Sequence, residues 1–104
     1  NTVMPSICRH KDLGNTGHLC STKAPVLATQ RTVFANNRPI ARRGDPAGPH
    51  TILKPGKPPK CINHKAKLNR GSLKVFVANK GVGRHNDSFD RGKMRPGSRD
   101  VFAG

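Results

Sequence analysis

Val33-Phe34-Ala35-Asn36-Asn37-Arg38-Pro39-Ile40-Ala41-Arg42-Arg43-Gly44-Asp45 is the stretch that decides the fold. Its outline returns in Val75-Phe76-Val77-Ala78-Asn79-Lys80-Gly81-Val82-Gly83-Arg84-His85-Asn86-Asp87. Both begin with a Val-Phe word and end with an Arg-x-x-Asp word, and in both copies the Arg stands eight positions after the Phe. A third Val-Phe closes Gly97-Ser98-Arg99-Asp100-Val101-Phe102, which parallels Gly71-Ser72-Leu73-Lys74-Val75-Phe76. A third Arg-x-x-Asp runs from Arg9 to Asp12, and Thr29-Gln30-Arg31-Thr32 stands ahead of Val33 as a degraded form of the Gly-Ser word. Self-similarity of this kind decides fold class ahead of any local propensity.

Each repeat reads as a β-hairpin. Val-Phe is a β-branched residue followed by an aromatic, which suits a half-buried strand. Asn36-Asn37 and Asn79 tolerate positive φ and suit the tight turn. The return strand is then Ile40-Ala41-Arg42-Arg43 or Val82-Gly83-Arg84-His85. Asp12, Asp45 and Asp87 fall at matching turns, where a carboxylate can cap backbone donors or pair with the Arg three residues back. No helical periodicity is evident, and nine Pro and eleven Gly punctuate short strands throughout. The stretch from Pro49 to His64, rich in Pro and Lys and free of acids, reads as a long exposed loop between repeats.

Composition narrows the function classes. The chain has 104 residues, 20 Lys and Arg against five acids, all of them Asp, and a net charge of +15. That length predicts one domain over residues 1–104. Only 33% of residues are apolar, so hydrophobic burial is thin and a metal or a tight partner is the expected supplement. No run of about 18 apolar residues occurs, which excludes a transmembrane helix. The first residues lack the apolar stretch of a signal peptide, which predicts synthesis in the cytoplasm without general secretory export. The odd number of cysteines (Cys8, Cys20 and Cys61) predicts free thiols or a metal ligand in a reducing compartment. No Ser-His-Asp order, phosphate loop or carboxylate pair stands out, which argues against an enzyme.

In order and spacing, these words resemble the PAAR-repeat family of spike-tip proteins. Its Val-Phe-x-Asn-Gly-x-Pro-Ala-Ala-Arg-x-Gly-Asp word compares with the stretch from Val33 to Asp45. The Gly-Ser-x-x-Val-Phe words, Thr16-Gly17-His18-Leu19-Cys20 and the terminal Val101-Phe102-Ala103-Gly104 extend the likeness over essentially the whole chain. The resemblance implies an all-β, cone-shaped, pseudo-threefold domain of short strands and hairpins with a metal near the apex. It implies a base that caps the trimeric β-helix of a spike, one tip per trimer, in a contractile phage tail or a type VI secretion apparatus. Such a tip would sit at the baseplate spike of a virion or at the head of a type VI-like spike, and would help to pierce the target envelope. The sequence stops just past the last Val-Phe word, which predicts that no effector domain is fused to it.

The family's metal, usually zinc, is held by three His and one Cys. Counting back seven residues from Gly71 reaches His64, and from Gly97 it reaches Asp90. His18, in the Thr-Gly-His word, and His50, five residues past Asp45, complete the carry-over. Asp90 stands where the family places Cys. A carboxylate is a legitimate zinc or iron ligand, so the fourth ligand is Asp90, Cys20 or Cys61, and spacing does not choose among them. His10 and His85 follow the Arg of Arg-x-x-Asp words and read as non-ligands. Cys8 reads as a small buried hydrophobe.

The charge admits two partners. An anionic outer-membrane surface would attract the exposed Lys of the stretch from Thr51 to Lys60. A basic, zinc-containing nucleic-acid-binding protein, with Cys61-x-x-His64 as half of a knuckle, is the rival reading. It lacks interleaved aromatics and a second, cleanly spaced ligand pair.

Overall fold

The computed structural model describes residues 4–104. The fold is all-β, and the described residues contain no helix. Ten short strands pair as five separate antiparallel ribbons. Chain order gives β1 (Leu13–Asn15) with β2 (Lys23–Pro25), β3 (Phe34–Ala35) with β4 (Arg38–Pro39) and β5 (His50–Lys54) with β6 (Lys60–His64). Then follow β7 (Phe76–Val77) with β8 (Lys80–Gly81) and β9 (Ser88–Phe89) with β10 (Gly92–Lys93).

The repeat words form the β3–β4 and β7–β8 hairpins. Their turns carry positive φ at Asn36 (53°) and Asn37 (65°), and at Ala78 (48°) and Asn79 (70°). Two successive left-handed residues are what a right-twisted two-residue hairpin requires. The return strands begin earlier than the sequence suggests, at Arg38 and Lys80. The residues expected to continue them leave the hairpin and pair with the neighbouring repeat instead: Arg9 bridges Ile40, Arg42 bridges Val82, and Arg84 bridges Ile7. At the centre of this exchange three amides close a cycle. Cys8 N–H donates to Gly83 O (2.8 Å), Gly83 N–H to Ala41 O (2.8 Å) and Ala41 N–H to Cys8 O (3.0 Å).

The third copy is assembled from both ends of the chain. Ile7 N–H donates to Val101 O (2.9 Å), as Ile40 does to Val33 and Val82 does to Val75 (3.0 Å each). The Ser6–Phe102 bridge takes the place of the Pro39–Phe34 and Gly81–Phe76 pairs. The degraded first word also keeps its function. Ser72 Oγ and Ser98 Oγ each accept two backbone N–H groups at the start of their Val-Phe strands, and Gln30 Oε1 accepts those of Thr32 and Val33.

The three Arg-x-x-Asp words make one turn three times. The carboxylates of Asp12, Asp45 and Asp87 accept the N–H of Arg9 (2.8 Å), Arg42 (2.8 Å) and Arg84 (2.9 Å). The residue before each Asp is left-handed: Lys11 (φ 70°), Gly44 (91°) and Asn86 (71°). Arg9 and Arg84 also pair with their Asp through the guanidinium, as expected. Arg42 does not. Its guanidinium crosses to Ala78 O (3.0 Å) and Thr29 Oγ1 (3.0 Å), and Thr29 in turn donates to Asp45 Oδ1 (2.6 Å).

Side chains of the ring alternate between two small cores. On one side Ile7, Ile40 and Val82 pack with Ala35, Val77 and Ala103. On the other, Cys8 and Ala41 pack with Val26, Leu68, Met94 and Phe89. Gly83 is the third member of that face, and a Cβ there would come within 2.5 Å of Leu68, whose side chain fills the place. Val26, Leu68 and Met94 are themselves equivalent, each donating its N–H to the carbonyl of one turn Asp (2.9, 2.8 and 2.9 Å).

The Val-Phe words enter half-buried strands, as expected, and their Phe lies on the exposed side. Phe34, Phe76 and Phe102 are 53%, 58% and 47% exposed, and the residue after each Phe points inward instead. Strand alternation requires this once Ala35, Val77 and Ala103 are the buried set. The stretch from Pro49 to His64 is not a loop but mostly the β5–β6 ribbon, turning through Pro55–Pro59.

Asp45 is the most buried of the turn carboxylates, at 1% exposure. Asp45→Ala should strand the Arg42 amide and the Thr29 hydroxyl and cost about 2–3 kcal/mol. In a domain of this size that lowers Tm by about 10–20 °C. Asp100→Ala, at an exposed position, should move Tm far less in the same calorimetric comparison.

Candidate metal centre

Three segments on the Phe89 side of the ring bring together His18, His50, His64 and Asp90. His50 and His64 are direct cross-strand partners on β5 and β6, so their side chains share one face of the ribbon. Asp90 follows the fully buried Phe89 in the β9–β10 turn, with φ 53°. Its amide donates to Lys67 O (3.2 Å), and the next amide, of Arg91, donates to Thr16 O (3.0 Å). His18 lies on the segment between β1 and β2. There Thr16 Oγ1 donates to Ser21 O and accepts the His18 N–H (3.2 Å), folding the segment back on itself.

The four donors converge closely. One ligand atom from each of the four residues lies within 4.8 Å of all the others. The Nε2 atoms of His18, His50 and His64 stand 3.0, 2.9 and 3.2 Å from the Asp90 carboxylate. His50 and Asp90 are almost fully buried, with side chains 2% and 5% exposed, while His64 forms the open wall at 28%. Burial alone would raise the Asp90 pKa, but the hydrogen bonds from the three His outweigh it and hold the carboxyl below its ordinary value.

The donor set suits a cation. His50 Nδ1 lies 3.0 Å from Gly48 O, a carbonyl that can only accept, so the ring proton belongs on Nδ1. Nε2 then faces the Asp90 carboxylate at 2.9 Å, able to donate a second N–H where the ring carries a proton there and to offer a lone pair where a metal ion takes that proton's place. A proton or a metal ion between the two atoms satisfies that contact. Three imidazole nitrogens and a carboxylate form a donor set that zinc or iron accepts, and the Gly48 carbonyl orients one of the rings from behind. The site could hold a metal ion.

Cys20 and Cys61, the alternatives for the fourth position, are not in the cluster. They are joined to each other as a disulfide, with Cα atoms 5.9 Å apart. The reading of three free thiols is therefore corrected for two of them. Odd spacing on a strand explains the geometry: Cys61 is three residues from His64 on β6, so its side chain leaves the opposite face of the ribbon. There it meets Cys20 from the segment that carries His18. Cys8 is free and fully buried, as expected, and burial pushes its thiol pKa up.

His10 and His85 lie outside the cluster. The Nδ1 of His10 accepts the Ala28 N–H (3.0 Å), and burial followed by Arg31, Lys11 and Arg38 lowers its pKa. The disulfide left no signal in the sequence, because spacing along the chain does not reveal which strand faces meet. Compared with known proteins, the chain matches no family model, and no curated protein is significantly similar to it.

Purified protein should carry about one equivalent of zinc or iron by elemental analysis. Removing the ion, or His50→Ala, should lower Tm by more than roughly 10 °C, since the ligands converge only in the folded chain. Asp90→Ala should do the same. Equal melting of metal-loaded and metal-stripped protein would show that the cluster does not staple the fold.

Proposed function

We propose that the chain is a metal-stapled spike tip of the kind its PAAR-repeat resemblance implies. The base would cap a trimeric β-helical spike of a phage tail or type VI-like apparatus, and the metal would rigidify the opposite end. One observation carries this reading: Phe34, Phe76 and Phe102 are exposed at equivalent positions around a closed threefold ring. Val33 and Val75, 41% and 38% exposed, lie beside two of them. A monomer with three equivalent apolar sites offers a homotrimer three like contacts at once. Exposed aromatics in a symmetric set are otherwise costly to leave in water.

The ring also separates the two ends. The small core beneath the Val-Phe strands lies on one ring face, and the core that supports Asp90 through Phe89 lies on the other. The proposed role is mechanical, and the ion in it is structural.

Positive charge at the metal end supports contact with an anionic envelope surface. Lys54, Lys57 and Lys60 are all exposed around the β5–β6 turn, and no acid occurs between Asp45 and Asp87. Nucleic-acid binding has less support, because three of the four Phe belong to the symmetric set.

Native mass spectrometry of the chain co-expressed with a trimeric spike partner should give one copy per trimer, and Phe34→Ser with Phe76→Ser should abolish the complex. Three copies per trimer would overturn the symmetry reasoning. Replacing Lys54, Lys57 and Lys60 by Gln should leave stability within about 0.5 kcal/mol. The same triple variant should bind anionic vesicles less well at low salt in a sedimentation assay. Equal sedimentation would remove the membrane role of these lysines.

A further inference from the structure

We infer that the Cys20–Cys61 disulfide is a redox latch on the metal centre, so that reduction weakens metal binding and metal binding resists reduction. This rests on the reading of His18, His50, His64 and Asp90 as metal ligands, and concerns how that site is regulated.

The latch follows from what holds each ligand. Asp90 is anchored to the core through Phe89, and His50 and His64 are fixed to each other by their cross-strand pairing. The β5–β6 ribbon is a sheet of only two strands, whose residues are mostly exposed. A lone two-stranded ribbon is marginally stable by itself. Beyond its base, where Pro46 bridges Lys67 and the Ala47 N–H donates to Ala66 O, two devices tie it down on opposite faces. On one face are the His and Asp90. On the other, the Cys20–Cys61 bond and the Ser21–Thr51 contacts (3.0 and 3.1 Å) hold the ribbon against the segment bearing His18.

His18 is two residues from Cys20, and His64 is three from Cys61. The same cross-link therefore restrains two of the four ligands. In the oxidised chain much of the ordering that the ion needs is already in place. In the reduced chain the ion must supply more of it, helped by the Ser21–Thr51 contacts and the pairing at the ribbon base. Two restraints on one flexible unit reinforce each other, and the coupling is reciprocal.

The pair can be reached from solvent, since Cys61 is exposed and Cys20 half-buried, whereas Cys8 is sealed in the core. The reductant is a dithiol. One thiolate attacks a sulfur of the pair, the S–S bond breaks, and its second thiol resolves the mixed disulfide. Two electrons and two protons pass to Cys20 and Cys61, and the dithiol leaves as its own disulfide.

The test measures zinc affinity by chelator competition on three forms: oxidised chain, reduced chain, and the Cys20→Ser/Cys61→Ser variant. A water-soluble phosphine serves as reductant because it adds no thiol ligand for zinc; water supplies its oxygen as it becomes the phosphine oxide. Reduced and double-serine proteins should both bind zinc about tenfold or more weakly than the oxidised form. In a dithiol redox buffer, zinc should shift the disulfide–dithiol equilibrium toward the disulfide by a comparable factor.

Affinities within about twofold across all three forms would overturn the latch. So would tighter binding by the reduced wild type alone, which would mean that the freed thiols capture the ion. An oxidised chain that binds neither zinc nor iron would overturn both the latch and the metal reading. Redox-insensitive binding would overturn the latch alone.

Discussion

Three backbone hydrogen bonds, from Cys8 to Gly83, from Gly83 to Ala41 and from Ala41 to Cys8, are the constraint on which the rest of this structure depends. A cycle of amides around one axis demands that three chain segments approach almost to backbone contact. Only small side chains permit that approach, and the three positions hold a thiol, a methyl group and a hydrogen. Because strand residues alternate in facing, the residues just before the ring positions (Ile7, Ile40 and Val82) must point the other way. The two small cores, one on each ring face, follow from that alternation.

The cores are too small to specify the fold by apolar burial alone, and polar groups carry much of the remaining specificity. Asp12, Asp45 and Asp87 are buried and serve as acceptors for amides three residues back. Asp90 is surrounded by His, and Asp100 is bound by Asn36 and Ser98, whose hydrogen bonds hold its carboxyl below the ordinary range. Every acidic side chain is therefore engaged internally. Five carboxylates, two of them paired with Arg9 and Arg84, leave most of the 20 Lys and Arg unbalanced, and the surface is strongly positive.

The repeats were legible in the sequence because the ring imposes the same demands three times. Val-Phe, the left-handed residue before Asp, and Arg-x-x-Asp survive in each copy at a fixed distance from the ring. The all-β fold could be read from those words, whereas the candidate ligands His18, His50, His64 and Asp90 came from the family resemblance laid over them. What escaped was the facing of residues. Val-Phe was legible as strand, but the outward facing of its Phe was not, because an aromatic residue suits either side of a pleat. The β5–β6 ribbon was masked by Lys and Pro, which signal a loop; yet its strands are exposed, and an exposed ribbon has no apolar alternation to display. The disulfide was hidden for the same reason. It depends on Cys61 leaving the ribbon face opposite His64, which cannot be seen until the strand itself is known.

The cluster of candidate ligands marks where threefold symmetry breaks. Three repeats supply three equivalent positions, whereas a tetrahedral ion needs four donors. The positions four residues before Val26, Leu68 and Met94 are Thr22, His64 and Asp90, so the repeat register itself furnishes only two suitable ligands. The other two come from departures from the repeat. His18 reaches in from the extra residues ahead of Thr22, and His50 enters as the strand partner of His64 at the base of the inserted ribbon. Both departures are the segments that the Cys20–Cys61 bond joins. The ring can position its own residues through backbone hydrogen bonds, but it has no such hold on inserted chain. Those insertions need an added restraint, and the disulfide lies where the symmetric scaffold stops supplying one.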